Sequence, residues 1–213
     1  MSLQGLEFFI AMAGTVAFAS SAVLSVADRK VDLFTAVVLG VITAVGGGTV
    51  RDLILDVPVF WAFDLSYLWV SIAASVATFF ASGLFGRSFI RSLFLYIDGF
   101  AVAMFAVQAT AKVWHLDFGV PIAPVILGVV TAIGGGLIRD VLVQRPTLLM
   151  SRELYAVPVL IGCILFALIL GFAPEFGELG SIVCLIVIFG IRAAAIRWGL
   201  RVPDWATMGF ERK

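Results

Sequence analysis

Charge is scarce in this chain. Asp, Glu, Lys and Arg make up 13% of its 213 residues, the formal net charge is zero, and there is a single histidine. Binding to nucleic acid needs a basic patch or a base-stacking motif; neither occurs, so nothing points to that partner. His115, in VWHLDF, has no metal-ligand spacing and no nucleophile beside it in sequence, and it reads as an interfacial residue. Cysteine is almost absent too. Cys163 and Cys184 fall inside apolar runs without the spacing of a metal or redox site, and they read as small packing residues. With no catalytic constellation, the chain is read as neither an enzyme nor a cofactor protein. Lys and Arg are also missing ahead of the first apolar run, which opens with Glu7. That run lacks the charged leader of a secretory signal peptide and is taken as a retained span.

Apolar residues, in contrast, are abundant. They account for 62% of the chain, with a mean hydropathy of +1.13, far more than one soluble domain of this size can bury. The chain is therefore read as an all-α integral membrane protein. Its apolar runs reach about 20 residues, enough to cross a bilayer as helices, whereas barrel strands alternate in polarity and run only about 10. Seven spans are predicted, at roughly residues 5–26, 31–55, 66–85, 91–112, 119–143, 153–172 and 179–200.

The basic residues fall on alternate connections. Arg29 and Lys30, Arg87 and Arg91, Arg145 and Arg152, and the C-terminal Arg197, Arg201, Arg212 and Lys213 share one side. The other side carries Asp56 and Asp64, Lys112 with Asp117, and Glu175 with Glu178. The positive-inside rule then places the N-terminus outside and the C-terminus in the cytoplasm. Trp61, Trp69, Trp114, Tyr155 and Trp198 lie near span ends, where amphipathic rings favour the interface.

One uncommon phrase occurs twice. LGVITAVGGGTVRD at residues 39–52 and LGVVTAIGGGLIRD at residues 127–140 agree at ten of fourteen positions. The copies lie 88 residues apart, in spans two and five. Each repeat thus contains three spans, and an odd number turns the second copy upside down. The predicted architecture is two inverted three-helix repeats, at about residues 1–86 and 89–173, joined by a loop through Ser88–Ser92. A seventh helix at about 179–200 and a short tail, 201–213, follow. The two glycine segments should meet near the bilayer midplane across a pseudo-two-fold axis.

Gly46, Gly47 and Gly48, and likewise Gly134, Gly135 and Gly136, strip one helical turn of side chains. Such a turn can bend and expose carbonyls to a cavity, or let a second helix approach closely; both readings stand. Thr43 and Thr131, one turn earlier, can add hydroxyl oxygens. Arg51 with Asp52, and Arg139 with Asp140, are expensive at membrane depth and either line a wet path or clamp helices. Adjacent helical positions point about 100° apart, so each Asp is expected to pair with a neighbouring helix rather than with its own Arg. Asp98, about two turns into span four, requires a partner such as an arginine of span five, or a wet cavity. Asp28 and Asp32 read as a helix cap and loop network. Gly14, Ala17, Ala19, Ser20, Ser21 and Ala22 form a small-residue stripe on span one that suits helix association between protomers.

ADRK before span two, the doubled GGGxxRD, DGFAVAMFAV opening span four and RELYAVPVL opening span six together resemble the prokaryotic members of the trimeric intracellular cation (TRIC) channel family. The resemblance covers nearly the whole chain. It implies a homotrimer in the inner membrane of a prokaryote, with membrane lipid around it and a pore in each protomer. It also implies kinked second and fifth helices around that pore, and passage of monovalent cations, chiefly potassium. By residue matching, the pore motif falls on Gly46, Gly47, Gly48, Arg51 and Asp52 and on Gly134, Gly135, Gly136, Arg139 and Asp140. The lysine-rich lipid-binding motif of animal members is missing here. The same bacterial domain is also described as a glycine transporter domain, which makes an alternating-access carrier the alternative, and a purely structural membrane protein a third.

Overall fold

In the computed structural model, residues 3–84, 86–151 and 153–203 are described. The helices are α1 (Leu3–Ser25), α2 (Leu33–Ile54), α3 (Phe60–Phe63), α4 (Ser66–Ser82), α5 (Arg87–His115), α6 (Ile122–Leu142), α7 (Ala156–Phe172) and α8 (Gly177–Trp198). All but the single turn α3 correspond to predicted spans. Five are long and apolar enough to cross a membrane, while α4 and α7 are shorter apolar helices. At 17 residues each, the latter two reach about 25 Å, and they hold the same place in the two halves. One boundary differs: α5 begins at Arg87, so Ser88–Ser92, expected as a loop, is helical. No proline or glycine interrupts that stretch, and Gly86 supplies the extended residue that starts the helix. Arg152, Arg212 and Lys213 of the basic side lie outside the described residues, as does most of the predicted tail.

Local chemistry sets the ends. Asp32 caps α2, accepting from Thr35 N at 2.8 Å and the Thr35 hydroxyl at 2.9 Å. Asp28 pairs with Arg145 at 2.6 Å, and the Arg29 guanidinium donates to Val143 O at 2.6 Å. The loop after α1 is thus tied to the end of α6, in line with the cap-and-network reading. α2 and α6 then close identically. Asp56 and Gln144 each take a left-handed φ of 52°. The next amides reach back to Asp52 O at 3.1 Å and Asp140 O at 2.9 Å, as in a Schellman closure.

The repeat is visible in the packing. α1 packs on α2 and α4 as α5 packs on α6 and α7, and the halves meet along α1–α5 and α2–α6. A side chain at Gly40 would strike Ser75, and one at Gly128 would strike Cys163; both contacts repeat at the same 88-residue interval. Phe18 and Phe105 stack at 5.2 Å between the halves. α8 packs on α5 and α7 and has no counterpart. This is a seven-helix membrane fold of two inverted three-helix repeats plus an appended helix. The small stripe of α1 turns inward: Ala19, Ser21 and Ala22 are fully buried within the protomer. It serves the α1–α4 and α1–α5 contacts, and so does not supply the interprotomer surface expected of it. Cys163 and Cys184 are buried free thiols.

Candidate functional site

The repeated segments meet at their middle glycines. A Cβ on Gly47 would overlap the Thr131 carbonyl oxygen and come within 3.1 Å of Gly135 N, and a Cβ on Gly135 would overlap the Thr43 carbonyl oxygen. Backbone therefore lies on backbone, reciprocally, as a pseudo-two-fold crossing requires. Helical structure continues through both triplets, so in this conformation the glycines admit the facing helix. The hydroxyls of Thr43 and Thr131 donate to Leu39 O at 2.7 Å and Leu127 O at 2.6 Å. The third glycines make room for aromatics. A Cβ on Gly48 would reach the Phe60 ring at 2.6 Å, and one on Gly136 would lie 3.1 Å from Tyr155 Oη. Gly46 and Gly134, the first of each triplet, are half-buried.

An arginine clamp stands one turn beyond each triplet. Arg51 Nε donates to Asp52 Oδ1 at 2.8 Å, and Arg139 Nε to Asp140 Oδ1 at 2.9 Å. This corrects the expectation that each aspartate would avoid its own arginine: the long arginine stem spans the 100° offset. The other aspartate oxygen has a task that spacing alone did not reveal. Asp52 Oδ2 accepts from Phe60 N at 3.0 Å and Asp140 Oδ2 from Leu148 N at 3.1 Å. Each aspartate so caps the first turn of the segment folding back after its helix, α3 in one half and the 3-10 turn Leu148–Met150 in the other. All four charged residues are at most 4% exposed.

Beyond these shared features the clamps differ. Lys112, at the end of α5, donates to Asp52 Oδ1 at 2.7 Å, giving the first clamp two cations and one carboxylate. Arg139 binds Asp98 Oδ1 as well as Asp140, and its Nη1 also donates to Ser21 Oγ at 3.0 Å, giving the second clamp one cation and two carboxylates. Asp98 thus has the span-five arginine expected for it. A cavity of about 960 Å³ opens on the Lys112 side, lined by Ile10, Tyr67, Gln108, Lys112, Phe166 and Glu178 among others. On the opposite side Tyr155 is buried under the Arg192 guanidinium, 4.9 Å from its ring centroid. Tyr155 was expected at the membrane interface; the arginine over its ring explains its burial.

The sequence family described as Glycine transporter matches the chain twice, over residues 8–82 and 95–170. Each match coincides with one three-helix repeat. The chain belongs to this family. Among curated relatives it is similar to the UPF0126 inner membrane protein YadS of Escherichia coli K12, 36% identical over 202 residues that cover 94% of this chain and 97% of the relative. A UPF0126 membrane protein of Vibrio cholerae is 36% identical over 207 residues, with 94% of this chain and 83% of the relative covered. Among solved structures, the TRIC trimeric intracellular cation channel orthologue from Rhodobacter sphaeroides superposes with a TM-score of 0.85 at 30% identity, covering 91% of this chain and 98% of that one. A second, from work on conductance through TRIC cation channels, gives 0.79 at 28% identity, with coverage of 95% and 98%. The fold is that of the TRIC channels.

In this member of the Glycine transporter family the predicted site residues form a central crossing with a charged clamp at each end. Gly47, Gly135, Thr43 and Thr131 build the crossing. Arg51 and Asp52 lie at one end of it, and Arg139, Asp140 and Asp98 at the other. Sequence reading missed Lys112 as the partner of Asp52, and Tyr155 and Arg192 as the cover of the second clamp. Arg192 had a usable signal, an arginine inside the apolar run IVIFGIRAAA.

Proposed function

We propose that this protein is a potassium-permeable channel for monovalent cations, assembled as a homotrimer with a path through each protomer. The observation that carries this reading is the superposition on the Rhodobacter sphaeroides cation channel, at 30% identity and a TM-score of 0.85. The path would run from the cavity beside Lys112, past Asp52, across the α2–α6 crossing and out past Asp98 and Asp140. At the crossing the helices touch through glycine, so conduction requires them to part. A backbone contact free of side chains separates without rotamer changes, and the carbonyls of Thr43 and Thr131 then face the gap as cation ligands. Basic residues on the Arg29 side support an inner-membrane orientation with the N-terminus outside.

A carrier for glycine or another small amino acid is the second reading. It is favoured by the family's description, and an inverted repeat meeting at the midplane suits a carrier as well. Purified protein in planar bilayers under a potassium gradient, alongside glycine counterflow in proteoliposomes, tests both. The channel reading predicts unitary potassium currents that glycine does not saturate. Saturable glycine exchange without such currents would replace it with the carrier.

A further inference from the structure

The halves differ in their surroundings at positions that their pseudosymmetry makes equivalent. Ile10 and Tyr67 line the open cavity on the Lys112 side. Their counterparts, 88 residues on, are Asp98 and Tyr155, and over the Tyr155 ring lies a side chain from α8, the helix without a counterpart. The stem of Arg192 rests against Gly99, where a Cβ would come within 2.7 Å of its Cγ. Its guanidinium stacks on Tyr155 at 4.9 Å, and the residue is 2% exposed.

Arg192 is deeply buried yet loosely held. Its Nη1 makes two long bonds, to Glu153 Oε2 and Leu154 O, both at 3.3 Å, and the Glu153 carboxylate is 35% exposed, which weakens the pair. Nε and Nη2 of Arg192 have no partner, and neither do Tyr155 Oη, Asp98 Oδ2 and Arg139 Nη2. These four residues hold most of the unpartnered buried side-chain atoms among the described residues. A permanent clamp at this depth would be expected to satisfy its donors. Donors and an acceptor left unpaired together, beside the side-chain-free surface of Gly136, mark a site where one cation can replace another. Asp98 keeps one oxygen on Arg139 and has the other free, and the Tyr155 ring and hydroxyl serve a guanidinium or a small cation equally.

We infer that Arg192 is a tethered cation held on the face of Tyr155, next to a monovalent-cation site built by Asp98 Oδ2 and the Tyr155 hydroxyl, and that its withdrawal opens the Arg139 side. Its guanidinium and the permeant ion exclude one another there, so α8 acts as a latch on one end of the path only. This rests on the channel reading.

The test compares wild type with Arg192→Ala and Arg192→Lys, each purified as the intact oligomer. In bilayers, Arg192→Ala raises open probability on the order of tenfold, the weight of one desolvated cation–π contact, with unitary conductance unchanged. Arg192→Lys, which keeps a cation, falls between. Guanidinium chloride on the Arg29 side closes Arg192→Ala again and leaves wild type unaffected, a result that a merely structural role would not give. Independently, Ser21→Cys in a Cys163→Ala, Cys184→Ala background reports access to the Arg139 clamp. A membrane-impermeant thiol reagent labels it on the order of tenfold faster when Arg192 is Ala, by the same contact. Unchanged open probability with unchanged labelling overturns the latch. If no variant conducts, the channel reading fails, while the labelling rates still decide whether Arg192 closes this side. Should Arg192→Ala fail to assemble, Arg192→Lys carries both measurements, and wild-type behaviour in it overturns the proposal.

Discussion

Lys112 donates to Asp52 at 2.7 Å, and the equivalent position in the other half, 88 residues earlier, is Leu24. A lysine is thus added to one clamp only, while Asp98, whose counterpart is Ile10, adds a carboxylate to the other. An inverted repeat with identical ends would treat ions alike in both directions. Here one clamp holds an excess of positive charge and the other an excess of negative charge.

Replacing Lys112 with Met is expected to raise potassium conductance on the order of twofold, because a half-exposed cation beside the route repels the permeant ion at a few tenths of a kcal/mol or more. The gain should shrink in concentrated salt, where screening reaches the cavity mouth. Single-channel conductance at low and high potassium checks this. Equal conductance of variant and wild type at low salt would remove Lys112 from the path.

Arg139 and Arg51 should differ in how much their loss destabilises the fold. Arg139→Ala takes from Asp98 and Asp140 the one cation that bonds them both, and breaking such a buried set costs about 3–5 kcal/mol. Arg51→Ala leaves Asp52 still paired with Lys112 and capping α3, so its loss is smaller. Thermal unfolding of the purified variants in one detergent measures the order. Arg51→Ala melting at or below Arg139→Ala would show that Lys112 does not compensate.

Much of the fold was legible because the repeat is written in residues that packing demands. The interval of 88 fixed the inverted plan, and the apolar runs fixed the spans. The clamp partners were less legible. Asp98 announced its need for a cation, since a carboxylate at that depth must be paired. Lys112 looked like an ordinary loop charge, and only the packing of the two halves brings it to Asp52 of α2. The N-capping of Phe60 by Asp52 was hidden because an eight-residue return through a left-handed Asp56 has no period to read. Burial of Tyr155 depended on α8, the element outside the repeat, about which the symmetry argument is silent.

The left-handed residues closing α2 and α6 offer a stability test independent of function. A non-glycine residue in this region costs roughly 1 kcal/mol, less for Asp than for Gln because a short polar side chain tolerates it. Gln144→Gly should therefore raise the melting temperature, and Asp56→Gly should raise it less. A drop in either would mean that the side chain contributes more than its backbone strain takes away.

The glycine crossing makes the sharpest demand, because positions within one triplet separate close approach from flexibility. A methyl on Gly135 would overlap the Thr43 carbonyl, while a methyl on Gly134 would meet only the Gly47 Cα, at an ordinary 3.4 Å. Gly135→Ala should force α2 and α6 apart and lower stability by about 1–3 kcal/mol, the usual range for overpacking. Gly134→Ala should leave stability equal or higher, since alanine favours the helix by up to about 1 kcal/mol. If the crossing works only by close approach, Gly134→Ala conducts like wild type. If helix bending at the triplet is part of opening, Gly134→Ala melts at or above the wild-type temperature yet shows reduced open probability. Melting and current measured on the same preparations distinguish these outcomes, and a Gly135→Ala protein as stable as wild type would refute the backbone crossing itself.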